Sequence, residues 1–299
     1  MVSFLASCLL SNDIHECKAS MGIISMIEEY RVLCEESKTI GNFAAYQNYV
    51  GKYKTFFDSV FSYLYMADLS SIKSLVEGTD FYNRLQIAED NLAKGHDDTI
   101  IKLITDVCHE LGFTKDFDLY LGMELGNIGG CSLKTINPLI YIGIDKPLDE
   151  SSLQYLIPHE FNHLVRICVS SNVDMFDFME RTLSEGLGVY APIVHGDLPY
   201  DIDTIGKTLS LPEANVKELI DNVETLIETV TAHFGKPITS DLMKLYFTYE
   251  DIAQDNCLSG YFVGLQIVHV LMEAGNDFAA LTVTPAEEIW EMHQSLVKN

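Results

Sequence analysis

Apolar residues recur at helical spacing through most of the chain. Ile23–Glu36 and the aromatic-rich Phe43–Tyr65 carry them three and four apart. In Asp98–Leu111, Ile100, Ile101, Ile104, Val107, Cys108 and Leu111 share one stripe. Residues 1–112 are therefore expected to be helical throughout, with Gly112 as the C-cap of the last helix. The Tyr and Phe clusters between 43 and 65 read as helix–helix core, the commoner use of such a stripe, with a ligand groove as the rarer one. After Gly112 the period drops to two. Leu119, Leu121, Met123 and Leu125 alternate with Tyr120, Gly122 and Glu124, which predicts a strand over Phe117–Leu125. Gly126-Asn127-Ile128-Gly129-Gly130 is turn material, and Pro138–Asp145 is a second strand. Helices resume near Ser151. One is expected over Leu211–Phe234, with Pro212 in its first turn and Ser210 as a capping candidate. Thr284-Pro285-Ala286-Glu287 has the form of a capping box opening a C-terminal helix. The pattern predicts an α+β fold that is mostly helical. Residues 1–112 form a helical region and 113–299 carry the small sheet and the remaining helices, unless both belong to one globule.

Composition narrows the partners. The 299 residues suit one large domain or two modest ones. With 47% hydrophobic and 21% charged residues, the chain has the makings of a packed core. The formal charge of −25 repels phosphate backbones, so nucleic acid is not an expected partner. No apolar run approaches the roughly 18 residues needed to cross a bilayer, so no membrane association is expected either. The N-terminal apolar stretch is short and lacks a preceding Lys or Arg, so it fails as a secretory signal. Leu5-Ala6-Ser7-Cys8 superficially resembles a lipoprotein cleavage box, but the stretch before it is too short for a signal core. Seven cysteines are scattered at 8, 17, 34, 108, 131, 168 and 257 with no Cys-x-x-Cys pair. They read as reduced core residues of a cytoplasmic protein.

The chemistry gathers at His159-Glu160-Phe161-Asn162-His163, an H-E-x-x-H pattern. Residues i and i+4 of a helix lie one turn apart on one face, so two imidazoles there can bind one Zn²⁺. Glu160 sits beside the first ligand, where a carboxylate can act as general base towards a metal-activated water. Leu153, Leu156, Ile157, Phe161, Leu164, Val165 and Cys168 form the apolar face of this helix, leaving His159, Glu160 and His163 on another stripe. Pro158 removes a backbone donor. The helix is expected to start near it, with 151–157 as a preceding turn, or else to bend there.

Zinc needs a third protein ligand, and a catalytic site keeps its fourth position for water. Glu185 lies 22 residues after His163, far enough for the first helix to end, a loop at Ser170–Asp174 to turn and a second helix to return. Gly186 and Gly188 flank it and would let the second helix approach the first closely. Glu180 is the competing ligand; Asp174 and Asp177 are weaker candidates. Two His and one Glu would leave the site at +1, which favours a hydroxide near neutral pH. A donor to a developing oxyanion is also needed, with Tyr261 favoured over Tyr190 and His195, since Tyr261 lies between small residues near the start of an apolar helix.

HEFNH, then LSEGLGVYAP, then SGYFVGLQIV resembles the family of predicted Zn-dependent proteases that includes the Bacillus YjaZ proteins. That family is similar to the gluzincin metallopeptidases, and the resemblance covers roughly 117–275. It implies a zincin-like core with the small sheet packed beside the H-E-x-x-H helix. It implies His159, His163 and Glu185 as zinc ligands and Glu160 as catalytic base. It also implies that a strand near Pro138–Ile144, or the Gly129–Leu133 piece, is a sheet edge that holds an extended peptide. The expected activity is hydrolysis of peptide bonds in a peptide or protein substrate. The alternative is a non-proteolytic zinc-binding regulatory protein on the same fold; a helical protein without metal is a third reading. The oligomeric state is not encoded in any feature of the chain.

Overall fold

The computed structural model describes residues 19–169, 173–248 and 258–298. Leu5–Cys8, His15, Cys17, Cys257 and most of the Ser170–Asp174 loop lie outside the described residues. Met21–Ser25 (β1) is a strand, which corrects the expectation of an all-helical N-terminal region. Its Ile23 and Ile24 suit extended backbone, and its exposed, irregular burial pattern gives the sequence no alternation to display. Helices α1 (Ile27–Ile40), α2 (Asn42–Lys52), α3 (Lys54–Val60), α4 (Lys73–Gly78), α5 (Phe81–Ala93) and α6 (His96–Glu110) follow, with a π-helical turn at Phe61–Tyr65. The strands β2 (Phe117–Gly122), β3 (Gly130–Leu133) and β4 (Leu139–Gly143) come next. The rest is helical: α7 (Glu150–Val169), α8 (Phe178–His195), α9 (Ile202–Leu209), α10 (Glu213–Asp221), α11 (Val223–Thr231), α12 (Ser240–Phe247), α13 (Ser259–Glu273), α14 (Phe278–Val283) and α15 (Ala286–Val297). The architecture is thus the mostly helical α+β fold with one small sheet. No helix among the described residues is long and apolar enough to cross a membrane.

The chain forms two compact units, each discontinuous in sequence. One joins Ala19–Leu103 to Thr114–Leu153; the other joins Ile104–Phe113 to the chain from Gln154 onward. The first holds the four-stranded sheet, in the order β1-β2-β4-β3. β1 pairs parallel with β2, and β2 with β4, while β3 runs antiparallel to β4. Parallel neighbours need a long crossover, which α1–α6 supply between β1 and β2. β4 is buried along its whole length, as a strand covered on both faces is, so Pro138–Ile144 is not a sheet edge. The edges are β1 and β3, and β3 is the other segment expected there; the Gly129-Gly130 pair that reads as a turn leads directly into it. The aromatic run of α2 and α3 is core, as expected: Tyr46, Tyr49, Phe56 and Phe57 are buried, with Phe57 edge-on to Tyr46, Tyr49 and Phe56 at ring separations of 5.0–6.0 Å.

The second unit is built around α8. Every residue from Phe178 to Ile193 is buried, so this helix is enclosed on all sides. Asp177 caps it by accepting from the Glu180 amide at 2.8 Å. α7 is continuous through Pro158, starting from Asp149, which accepts from the Ser152 amide at 2.9 Å; it does not begin at the proline. The Leu211–Phe234 segment is two short helices, α10 and α11, and Ser210 ends α9 in a left-handed conformation (φ +53°) instead of opening a helix. The Thr284 hydroxyl turns back to the Ala280 carbonyl at 2.8 Å, so no capping box forms and Pro285 opens α15 without a side-chain cap. Gly112 has the positive φ of the expected cap (+57°). Cys34, Cys131 and Cys168 are in no disulfide. Cys108 is disulfide-bonded, contrary to the expectation of reduced cysteines throughout. Scatter along the sequence says nothing of which thiols folding brings together.

Candidate metal centre

α7 presents His159 and His163 one turn apart. From Ile157 to Ile167 every side chain is buried except these two, which keep partial exposure. Their rings stand edge-on at 4.6 Å, with the two Nε2 atoms 3.0 Å apart. α8 brings Glu185 to the same point. Its Oε2 lies 3.2 Å from Nε2 of His163 and 3.5 Å from Nε2 of His159. The three donor atoms lie within 4.8 Å of one another. Three lone-pair donors at such separations suit an ion with ligand distances of about 2 Å. The nitrogen and oxygen donor set suits a divalent metal ion such as zinc.

The small residues around Glu185 divide their work between two neighbours. Gly188 faces α7: a Cβ there would lie 2.9–3.1 Å from three atoms of the His159 ring. Gly186 faces α13 instead, where a Cβ would lie 2.1 Å from the Gly264 carbonyl carbon. The expectation that both glycines admit the metal helix therefore holds for Gly188 only. α8 is fixed against α7 by a second, largely buried set of contacts. Arg166 donates to both oxygens of Glu180 (2.7 and 3.1 Å), to the Ser184 hydroxyl (2.8 Å) and to the Thr282 and Thr284 carbonyls (2.9 and 2.8 Å). Glu180, the rival third ligand, is committed to this network. Asp177 is committed to its cap, and Asp174 accepts from the Phe176 amide.

Charge and burial act together at the cluster. Burial alone would raise the Glu185 carboxyl, but His163, His159 and Arg181 outweigh it and hold the group well below the usual carboxylate range. Burial pulls the His159 imidazole down; the Glu185 hydrogen bond, the charges of Glu160 and Glu185 and the Gly188 backbone outweigh it, and the imidazole is raised. Oxygen Oε1 of Glu185, the one turned away from the imidazoles, lies 3.1 Å from Nε of Arg181. Arg181 is itself buried and lies 5.9 Å from the centre of the Phe247 ring. Sequence reasoning missed it, although its i−4 spacing from Glu185 is the helical pairing signal.

A family model described as Predicted Zn-dependent protease (DUF2268) matches residues 120–291, more than half of the chain. The chain belongs to this family. The matched span includes His159, Glu160, His163 and Glu185, so the family and the geometry meet at the same cluster. No curated protein and no solved structure matches the chain.

The remaining candidates lie elsewhere or at one remove. Tyr261 packs edge-on against Phe247 at 5.7 Å, and Phe247 in turn lies under Arg181. The Tyr190 ring sits among Tyr200, His269 and Phe278. His195 pairs with Glu110 at 2.8 Å. Glu160 is 5% exposed on α7, directly beside His159.

Proposed function

We propose that the protein is a zinc metallopeptidase that hydrolyses peptide bonds, with His159, His163 and Glu185 as ligands and Glu160 as general base. The observation that carries this reading is the meeting of three donors from two helices within 4.8 Å, inside the span that matches a zinc-protease family. When bound, zinc supplies Lewis acidity, polarising a carbonyl and acidifying water. Two neutral imidazoles and one carboxylate are the residues that would hold it. Among the described residues no fourth His, Cys, Asp or Glu joins the cluster, which fits a catalytic donor set better than a closed structural one.

Glu160 is next to a ligand and buried, where a carboxylate responds strongly to nearby charge. In this reading it takes the proton from the attacking water and delivers it to the leaving amine. Tyr261 is the proposed donor to the developing oxyanion; its place beside Phe247, near the Arg181 end of the site, supports that role. The substrate is a peptide or protein. The reading extends to a cytoplasmic protein because Cys34, Cys131 and Cys168 are in no disulfide, whereas the Cys108 disulfide is unusual for a reducing compartment.

Zinc content and cleavage of a mixed fluorogenic peptide set test the proposal together. A chelator should abolish cleavage and added Zn²⁺ restore it. Glu160→Gln should keep one zinc per chain and lose about 10²-fold or more in turnover, the usual contribution of a positioned base. Unchanged turnover would remove Glu160 from the mechanism, and a wild-type protein without zinc affinity would end the reading.

A further inference from the structure

The ligand carboxylate has two equivalent oxygens on a terminal torsion that is broad and roughly two-fold. Something must decide which oxygen meets the imidazoles. In this chain the decision is visible: Oε2 lies 3.2 and 3.5 Å from the two Nε2 atoms, while Oε1 lies 3.1 Å from Nε of Arg181. Both side chains of the pair are only 6% exposed and both stand on α8 one turn apart. A buried guanidinium needs a counter-charge. The nearby Glu180 is not available to Arg181, because Arg166 takes both of its oxygens. Arg181 is further confined by the Phe247 ring of α12. The two side chains are thus joined as a buried ion pair; the contact lies outside hydrogen-bond geometry, since Arg181 Nε has no hydrogen-bond partner among the described residues.

The geometry points to Arg181 as the positioning residue of the metal centre: by engaging Oε1 it presents Glu185 as a one-oxygen ligand with Oε2 aimed at the two histidines. It touches neither substrate nor reacting atoms and acts only through Glu185. This inference rests on the zinc reading above. Partners that orient a metal ligand typically contribute about 10–100-fold in metal affinity. A purely electrostatic role would have the opposite sign, since removing a cation near the site would tighten binding of a divalent ion.

The test is zinc affinity by competition with a chromophoric chelator, combined with the visible absorption of the Co²⁺-substituted protein, which reports how the carboxylate coordinates. Arg181→Met should weaken zinc binding about 10–100-fold and alter the cobalt spectrum. Arg181→Lys, which restores a cation at shorter reach, should recover part of the affinity and keep the apo-protein folded should the methionine variant not fold. In a Glu185→Gln background, Arg181→Lys should cause no further loss. Wild-type zinc affinity in Arg181→Met, tighter binding, or an equal loss in the Glu185→Gln background would each overturn the inference. Absence of zinc binding by the wild-type protein would instead remove the parent reading, and the two failures are told apart by that control.

Discussion

Gly188 shows how one missing side chain shapes the site. A Cβ there would lie 2.9 Å from Cε1, 3.0 Å from Nδ1 and 3.1 Å from Nε2 of His159. Glycine inside a helix costs about 1 kcal/mol relative to alanine, so its place in the middle of α8 opposes local propensity. Gly188→Ala should therefore split two properties that usually move together. The metal-free protein should change little in stability, because the helix gain offsets the crowding of a side-chain ring that can give way. Zinc affinity should fall about tenfold, because the ring that gives way is that of the proposed ligand His159. Urea unfolding of the metal-free variant and a zinc competition titration measure the two halves separately. Undiminished zinc affinity would mean that α8 does not constrain His159.

At the level of elements, the site depends on how closely α8 and α13 cross. A Cβ on Gly264 would lie 2.0 Å from the Thr182 carbonyl oxygen and 2.9 Å from the Gly186 Cα. These are backbone atoms, so nothing there can rotate away. Gly264→Ala should cost about 3 kcal/mol or more, at or above the upper end of ordinary overpacking. It should also weaken zinc binding, because α8 carries Glu185; a urea midpoint within error of wild type would refute the close crossing. This contact was not legible in the sequence, because Gly186 and Gly264 belong to segments far apart in the chain and each looks like an ordinary small residue. His159 and His163 were legible because one turn of helix fixes their geometry locally. Glu185 was legible because a helix, a loop and a returning helix limit where a third donor can come from. β1 was not, since a short edge strand has no clean alternation and runs almost directly into α1. β3 was legible only through the family resemblance, because the two glycines that lead into it read locally as a turn. Pro158 misled for a related reason: the propensity argument is local, whereas α7 is held on either side by its Asp149 cap and by the buried Arg166 network.

For the molecule as a whole, two features make stability depend on pH with the same sign. The formal charge is −25, so self-repulsion grows as carboxyl groups ionise. The second feature is local. Glu124 is fully buried; Oε1 accepts from the Tyr65 hydroxyl at 2.7 Å, while Oε2 has no hydrogen-bond partner among the described residues. Burial pushes its carboxyl up to about 7. Asp145 is raised in the same direction by burial, despite the Glu124 and Gly126 amides on its Oδ2. A carboxyl raised in the folded state binds more protons folded than unfolded. Its favourable contribution is whole below the unfolded value, about 4.3, and is lost as pH rises through the folded value near 7. Folding stability should therefore fall between about pH 5 and 7.5. Glu124→Gln separates the local cause from the general one, because the amide keeps an acceptor for Tyr65 and never ionises. In high salt, which screens self-repulsion, the wild-type decline over that interval should exceed that of the variant by up to about 3 kcal/mol. Urea midpoints of the metal-free proteins at the two pH values provide the comparison. Staying above pH 5 also avoids Glu185, which is held low and loses its contribution only on further acidification. Identical slopes in the two proteins would mean that Glu124 is ionised in the fold, with a counter-charge that its buried surroundings do not otherwise provide.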